Sequence, residues 1–562
     1  MKKRLVVIAA ALMLASLGCQ SSSTPEASPS NSGGSASIPS SSGSASGSAS
    51  SASGSSSPSP AAINNDPSAI LSYAPMQAMT LDPIKIGASD RTIMNAIYDT
   101  LVFLDDNDQP IPGLAISWSS PDPATFELKL RNGVVFQDGT PFNADAVKFN
   151  LDRAMSPESM IKASLAQLKA VEVVDPYTVR LRLNSPLPGA LPAALAGQAG
   201  MMASPTAVKN AGSSDAFSQH PVGAGMFKLQ GNWQPRTSAS VRAWDGYWDK
   251  KSQLLGGIDF KGISPDAYLN TLQAGDVDMN SDLDETMAAT LQQNPSFRTK
   301  ISPSSSVRTF FMNPTLAPFD KLEIRQAMAY AIDRESIAKA MTNSMGQAAW
   351  EFWRKEDIAY NADVANRYSY DPNQAKALLA QAGFPNGVSF HAVIGRINTS
   401  YIRFGELVRA QIKQAGFDMT LDLVDPAQTT VLLWRAGPTG RGTAQASPLQ
   451  GGGAEDPDVV LRQSFLKDSP ANAGGYEPEG FRALVDQAVS TVDVPERKAA
   501  YQEVTRTIQE QVLPGVPVYF ISDATGYANY VGGVTKAMPH ARQTYRGLYI
   551  TKGKMPADDA RR

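Results

Sequence analysis

Residues 20–62 constrain the fold first, because they contribute nothing to it. Of these 43 residues, 21 are Ser and only Glu26 is charged. Such a stretch buries too little apolar surface to offset the entropy of ordering it. It reads as a tether with a root-mean-square reach of roughly 35–40 Å by random-coil scaling. The folded part must come from residues 63–562. A length well beyond roughly 300 residues implies more than one packed lobe.

The segment before the tether has the layout of an export signal. Lys2, Lys3 and Arg4 form a basic start, residues 5–17 an uncharged apolar run, and Gly18 and Cys19 follow. Thirteen apolar residues fall short of the roughly 18–20 that span a bilayer, so 1–18 is expected to be a signal peptide. Ser16-Leu17-Gly18-Cys19 resembles a bacterial lipobox, with Ser16 where Leu is preferred. That resemblance implies lipidation of Cys19, with 19–62 as lipidated Cys and tether. Several acyl chains on one cysteine anchor a protein stably, where a single chain does not. The expected location is extracytoplasmic, on the outer face of the cytoplasmic membrane or in the periplasm, with the lipid as sole membrane contact.

Cys19 is the only cysteine of the chain. That excludes an internal disulfide framework, a thiolate zinc site and a CxxC redox centre. Three histidines, His220, His391 and His540, are too widely spaced in sequence to suggest a histidine-rich metal site. No metal and no cofactor are expected. A net charge of −3 gives no reason to expect nucleic acid as a partner.

Within 63–562 strand and helix patterns intermix. TFELKL (125–130) and TVRLRL (178–183) alternate apolar and polar residues as half-buried strands do. Residues 143–155 have apolar positions near helical spacing, with Asn143 as N-cap. Residues 324–341 read as helical with an interruption around Asp333. A helix over 373–381 is stopped by Gly383 and Pro385. Residues 480–512 read as two helices broken at Val494-Pro495. The most apolar internal run, 188–203, is interrupted by Pro, Gly and Gln. The fold class is mixed α/β, or α+β, with several lobes.

Catalytic signatures are missing. The sequence has no GxxxxGK[ST], no HExxH and no GxSxG. The glycine-rich run 437–442 has the wrong spacing for a dinucleotide fingerprint. Asp105-Asp106 and Asp456 with Asp458 read as loop carboxylates or helix caps. The chain is not expected to be an enzyme.

An ordered set of phrases identifies a family. Residues 130–145 (LRNGVVFQDGTPFNAD) resemble the signature of bacterial extracellular solute-binding proteins of family 5, the oligopeptide, dipeptide and nickel-chelate receptors of ABC importers. Leu81-Asp82-Pro83 precedes it. Then come 221–227 (PVGAGMF), 244–248 (WDGYW), Pro318-Phe319-Asp320, Ile324-Arg325-Gln326-Ala327, and Ala331-Ile332-Asp333-Arg334. Tyr370-Asp371-Pro372, Ala375-Lys376, Leu378-Leu379, Ala382–Pro385, Asp456-Pro457-Asp458 and Val516-Pro517 complete the series. No phrase is specific alone; their order over roughly 65–520 is.

The resemblance implies a two-lobed periplasmic-binding-protein-like fold with an extra domain and an interlobe ligand cleft. The first lobe would be 63–93, 216–315 and 523–562, the extra domain 94–215, and the second lobe 316–522. Crossover segments near 308–316 and 514–522 would be the hinge, closing on ligand as periplasmic binding proteins do. A monomer would deliver its solute to ABC permease and ATPase subunits. Peptides are the leading ligand class, and a glycoside, opine or metal chelate the alternative. A non-transport surface receptor or chaperone-like lipoprotein is a second alternative.

By position, Gly87, Ala88 and Ser89 match a first-lobe loop lining the family's cleft. Gln450, Gly451, Gly452 and Gly453 match the second-lobe segment facing it. Peptide-binding members carry an Asp at the position of Gly453, where it captures the peptide's amino terminus, and often Trp at that of Gln450. Either Glu455 or Asp456 substitutes here, or the ligand lacks a free N-terminal amine. Asp456 also suits the N-cap of a helix over 459–465. Trp350, Phe352 and Trp353 form an aromatic cluster, and Trp434 precedes the glycine-rich run; pocket wall and core packing both fit. Arg396 and Asn398 lie in a loop before a helix starting near Ser400, where solvated surface is the default reading and contact with a carboxylate or carbonyl the other.

Overall fold

The computed structural model describes residues 63–557, apart from 86–90, 107–108, 185–189, 345, 397–398, 435–441, 453–456, 470, 473, 492 and 537–543. Cys19, Gly87, Ala88, Ser89, Asn398, Gly453 and Asp456 therefore lie outside the described residues, as does the side chain of Trp434.

Two long strands, Phe297–Met312 and Gly515–Ala528, organise the molecule. They pair antiparallel along most of their length. The first also pairs, through Ser306–Met312, with strand Ala446–Gly452. Beyond that strand come Val388–Gly395 and Phe417–Val424, in parallel register. The second long strand pairs with Met279–Leu283 through Ala524–Tyr527. Beyond it lie Ile70–Ala74, Gly257–Lys261, Ser238–Ala243 and Phe227–Leu229. One 11-stranded sheet thus has two wings joined through its central strand pair. The pair shifts register between Pro303 and Val307 and again between Arg308 and Thr309. Bulges of this kind bend and twist a strand locally.

Each wing carries its own apolar core. Tyr73, Phe227, Phe260 and Tyr545 anchor one. Phe310, Phe319, Phe390, Phe404 and Phe417 anchor the other, with edge-to-face ring contacts between Phe390 and Phe319, Phe310 and Phe417. A separate four-stranded antiparallel sheet, Ala115–Asp122, Thr125–Leu130, Thr178–Leu183 and Leu168–Asp175 in spatial order, packs on helix Ala144–Ala154. The two strands expected from alternation are its inner pair.

Helix boundaries follow their caps. Asn143 accepts from the Ala146 N–H, as its position implies. Asp333 splits the 322–342 region by capping Arg334–Thr342 through the Ser336 N–H, while Ile332 takes an extended conformation. Asp371 caps a helix that begins one residue earlier than expected, with Pro372 in its first turn. Helix Phe481–Ser490 ends before Val494-Pro495, and helix Val494–Gln511 begins with them. Pro495 opens the second helix and Asp493 caps it. Proline needs no N–H in a first turn, so it starts this helix and does not end the previous one.

The ordered phrases hold one another. Gln137 donates through Nε2 to the carbonyls of Ile97, Gly225 and Phe227, and its Oε1 accepts from the Gly223 N–H. A Cβ on Gly223 would stand 2.2 Å from the Ile97 oxygen, and one on Gly225 2.6 Å. Those glycines are required by close backbone approach. Buried Asp82 pairs with Arg153 and accepts from Ser214. Arg131 stacks 4.0 Å from the centre of Trp248, whose Nε1 donates to Asp99 at 2.7 Å. Arg334 is buried and donates to the carbonyls of Pro517, Ala329 and Tyr368. Burial lowers its pKa to about 10.

Candidate functional site at the strand pair joining the two wings

The register of the central strands sets which side chains meet where the wings join. Arg308 lies opposite Gln450 on one side and Tyr519 on the other. Its guanidinium carbon stands 3.9 Å from the centre of the Tyr401 ring. The Tyr401 hydroxyl donates to Gln450 Oε1 at 3.4 Å. Gln450 is exposed, whereas Arg308 retains only 8% of its accessibility. Burial acts to lower the Arg308 pKa, but Tyr401 and Tyr519 beside it more than offset that and leave it above its ordinary value. Burial also pushes the Tyr519 hydroxyl up to about 12, against the pull of Arg308. From the other wing, helix Glu285–Gln292 brings Glu285 near. Its Oε1 accepts from the Ser522 N–H at 3.1 Å, and burial raises its pKa.

The aromatic candidates divide. Trp353 is 4% exposed within an apolar cluster that includes Phe352 and Phe465, and Phe352 meets Phe465 edge-to-face at 5.4 Å. Trp350 is half-buried, with Arg334 5.1 Å from its ring centre, and its carbonyl accepts from Gln509. Between them Glu351 is buried. Its carboxylate accepts from the Asn361 N–H, and burial raises its pKa to about 8. A Cβ on Gly451 would sit 3.4 Å from Thr309 Oγ1 and 3.7 Å from Phe352, so this glycine faces the aromatic cluster. Gly452 pairs with Ser306 at the strand end. Arg396 is exposed, and its backbone N–H donates to Val424. The structure thus brings Trp353 and Gly451 to the Phe352 cluster and Gln450 to Arg308; Trp350 meets Arg334 instead, and Arg396 stands apart in a surface loop.

Sequence reading missed Arg308, Tyr401, Tyr519 and Glu285. The first three meet through strand register and helix packing across more than 90 residues of sequence at each step. Nothing in the local pattern marks them.

Comparison with known proteins agrees with this architecture. Residues 109–470 match the family model described as bacterial extracellular solute-binding proteins, family 5 Middle, and the chain belongs to that family. The glutathione-binding protein GsiB of Shigella dysenteriae serotype 1 is 29% identical over 448 residues, covering 78% of this chain and 86% of GsiB. MoaA from A. tumefaciens R10, solved with mannopinic acid, superposes with a TM-score of 0.72 at 25% identity, covering 86% of this chain and 100% of MoaA. DppA from Helicobacter pylori, solved with the peptide STSA, superposes at 0.71 with 22% identity, covering 86% and 98%. The fold is therefore the two-lobed one of periplasmic binding proteins. The chain is a substrate-binding protein of the kind that serves ABC importers. Among the described residues no helix is long and apolar enough to cross a membrane.

Proposed function

We propose that the protein is a lipid-anchored receptor that closes on a small solute and delivers it to an ABC permease, with peptides as the leading class. One observation carries the reading: two long strands are shared by both wings of the sheet, with register shifts where the wings join. A connection of two paired strands with bulges at the junction lets the wings rotate about it while the strand pairing on either side is kept. Closure is favoured by ligand because only the closed form contacts it from both sides.

The proposed lobes are 63–93, 216–315 and 523–562 for the first and 316–522 for the second, with 94–215 as the extra domain. Cys19 is the proposed lipid attachment point and 20–62 the tether. The ligand-facing set comprises Gly87–Ser89, Trp350, Trp353, Arg396, Asn398, Trp434, Gln450–Gly453 and Asp456. A non-peptide solute such as an opine is the second reading. It is favoured by Gly453, which supplies no carboxylate for a peptide amine, and by the likeness to MoaA.

Native mass spectrometry of the purified protein tests the choice. A co-purifying series of peptide masses supports the leading reading; one non-peptide species overturns it in favour of the second.

A further inference from the structure

Arg308 stands out among the buried charges. It is more than nine-tenths buried, yet its Nε and Nη1 have no hydrogen-bond partner, and it makes no ion pair among the described residues. Two more deeply buried arginines, Arg334 and Arg325, each donate to backbone carbonyls. A guanidinium taken from water with two of its nitrogens unpaired and no counter-ion among the described residues carries a desolvation cost at those nitrogens, although its tyrosine neighbours favour its charge. Folded proteins retain such a group where something else completes it. The surroundings are arranged to hold the fork in place. Tyr401 stacks on its face, Tyr519 flanks it, and the register shift falls between Arg308 and Thr309. Gln450, exposed beside it and bonded to Tyr401, leaves the site open towards solvent.

We propose that Arg308 is the carboxylate-binding residue of a ligand subsite at the strand pair joining the two wings, flanked by Tyr401, Gln450 and Tyr519. A carboxylate matches the planar donor fork with its two oxygens. One negative charge suits the site better than a phosphate dianion, because Arg308 is the single cation of this group and Glu285 sits nearby. This inference rests on reading the protein as a solute receptor, and narrows its ligands to those carrying a free carboxylate.

Thermal unfolding of the solute-stripped protein, wild type and Arg308→Met, tests it. The probes are free-acid tri-alanine, tri-alanine amide, succinate and inorganic phosphate. The free acids raise the wild-type midpoint, and the amide and phosphate do not. Arg308→Met loses the response, with affinity for the acids down about 10- to 100-fold, the scale of charged hydrogen bonds. Ligand-free Arg308→Met unfolds no lower than wild type, because it no longer buries an unpaired charge; a merely structural arginine would lower the midpoint. Arg308→Lys keeps the charge without the fork and falls between the two in affinity. An equal response to tri-alanine and its amide overturns the subsite while leaving the receptor reading intact, as does a response to phosphate alone. Absence of response to either acid also overturns the subsite, and the receptor reading is then decided separately by the native mass spectrum.

Discussion

Replacing Glu351 by Gln removes a buried acid that burial holds at a pKa of about 8, against an ordinary 4.5. Between those values the folded protein keeps the Glu351 proton and the unfolded chain has lost it. The native state binds more protons there, so this group makes stability fall as pH rises from about 4.5 to about 8. Below 4.5 both states are protonated and above 8 both are ionised, so the contribution is level outside the window. At about 1.4 kcal/mol per pKa unit, the full span is worth roughly 5 kcal/mol as a ceiling. Local relaxation around the carboxyl reduces it, and we expect roughly 2–5 kcal/mol. Glutamine keeps an acceptor oxygen for the Asn361 N–H, which Glu351 meets at 3.2 and 3.3 Å. Urea unfolding of wild type and Glu351→Gln at a series of pH values reads the effect. The variant should match wild type near pH 4 and exceed it by that amount at pH 8. Asp99, which burial raises to about 6, tilts both curves equally and cancels in the difference. Parallel curves across the range would refute the argument, because they would mean that Glu351 is ionised in the folded protein.

The remaining expectations concern the motif residues and the anchor. Arg153→Met leaves the fully buried Asp82 without its cation and should cost roughly 3–5 kcal/mol in urea unfolding. A loss under 1 kcal/mol would show the pair to be dispensable. Gly223→Ala forces a Cβ to within 2.2 Å of the Ile97 carbonyl oxygen and 2.5 Å of the Tyr98 ring, so it should lower stability by at least ~1–3 kcal/mol, read by the same method. Cys19→Ser should move the protein from the membrane to the soluble fraction of cells expressing it; unchanged membrane association would remove the lipid from the account.

Much of the fold was legible because its signals are local. Alternation over 125–130 and 178–183 needs only neighbours to be read, and Asn143 announces its helix through a single side chain. The family phrases were legible for a different reason, their order along the chain. Asp82, Arg131, Gln137, Trp248, Arg325 and Arg334 are scaffold: each ties distant backbone or charge together inside the molecule. They identify the architecture and leave the ligand open. The helix break expected at Val494-Pro495 lies before Val494, because proline is as much at home in a first turn as in a break and here Pro495 stands in the first turn of the second helix.

The site was less legible because it is a product of register. Arg308 sits in a strand whose sequence, Ser306-Val307-Arg308-Thr309, carries no sign of a binding residue. Its meaning comes from Gln450 and Tyr519, 142 and 211 residues further along the chain. A one-residue slip of the pairing would turn Arg308 to the opposite face. Trp353, by contrast, shows the ambiguity of aromatic clusters: its ring packs among Phe352 and its apolar neighbours, while its Nε1 has no hydrogen-bond partner.

The central claim is closure of two lobes on a solute, and a distance across them tests it most directly. Cys19 is the only native cysteine, so in a Cys19→Ser background labels at Gln293→Cys and Lys413→Cys are unambiguous; both positions are exposed, one on each wing. Pulsed electron paramagnetic resonance of the doubly spin-labelled protein should give one distance distribution after solute is stripped, and a shifted, narrower one when the co-purified solute is returned. An unchanged distribution, with the solute shown bound by native mass spectrometry, would contradict the hinge account.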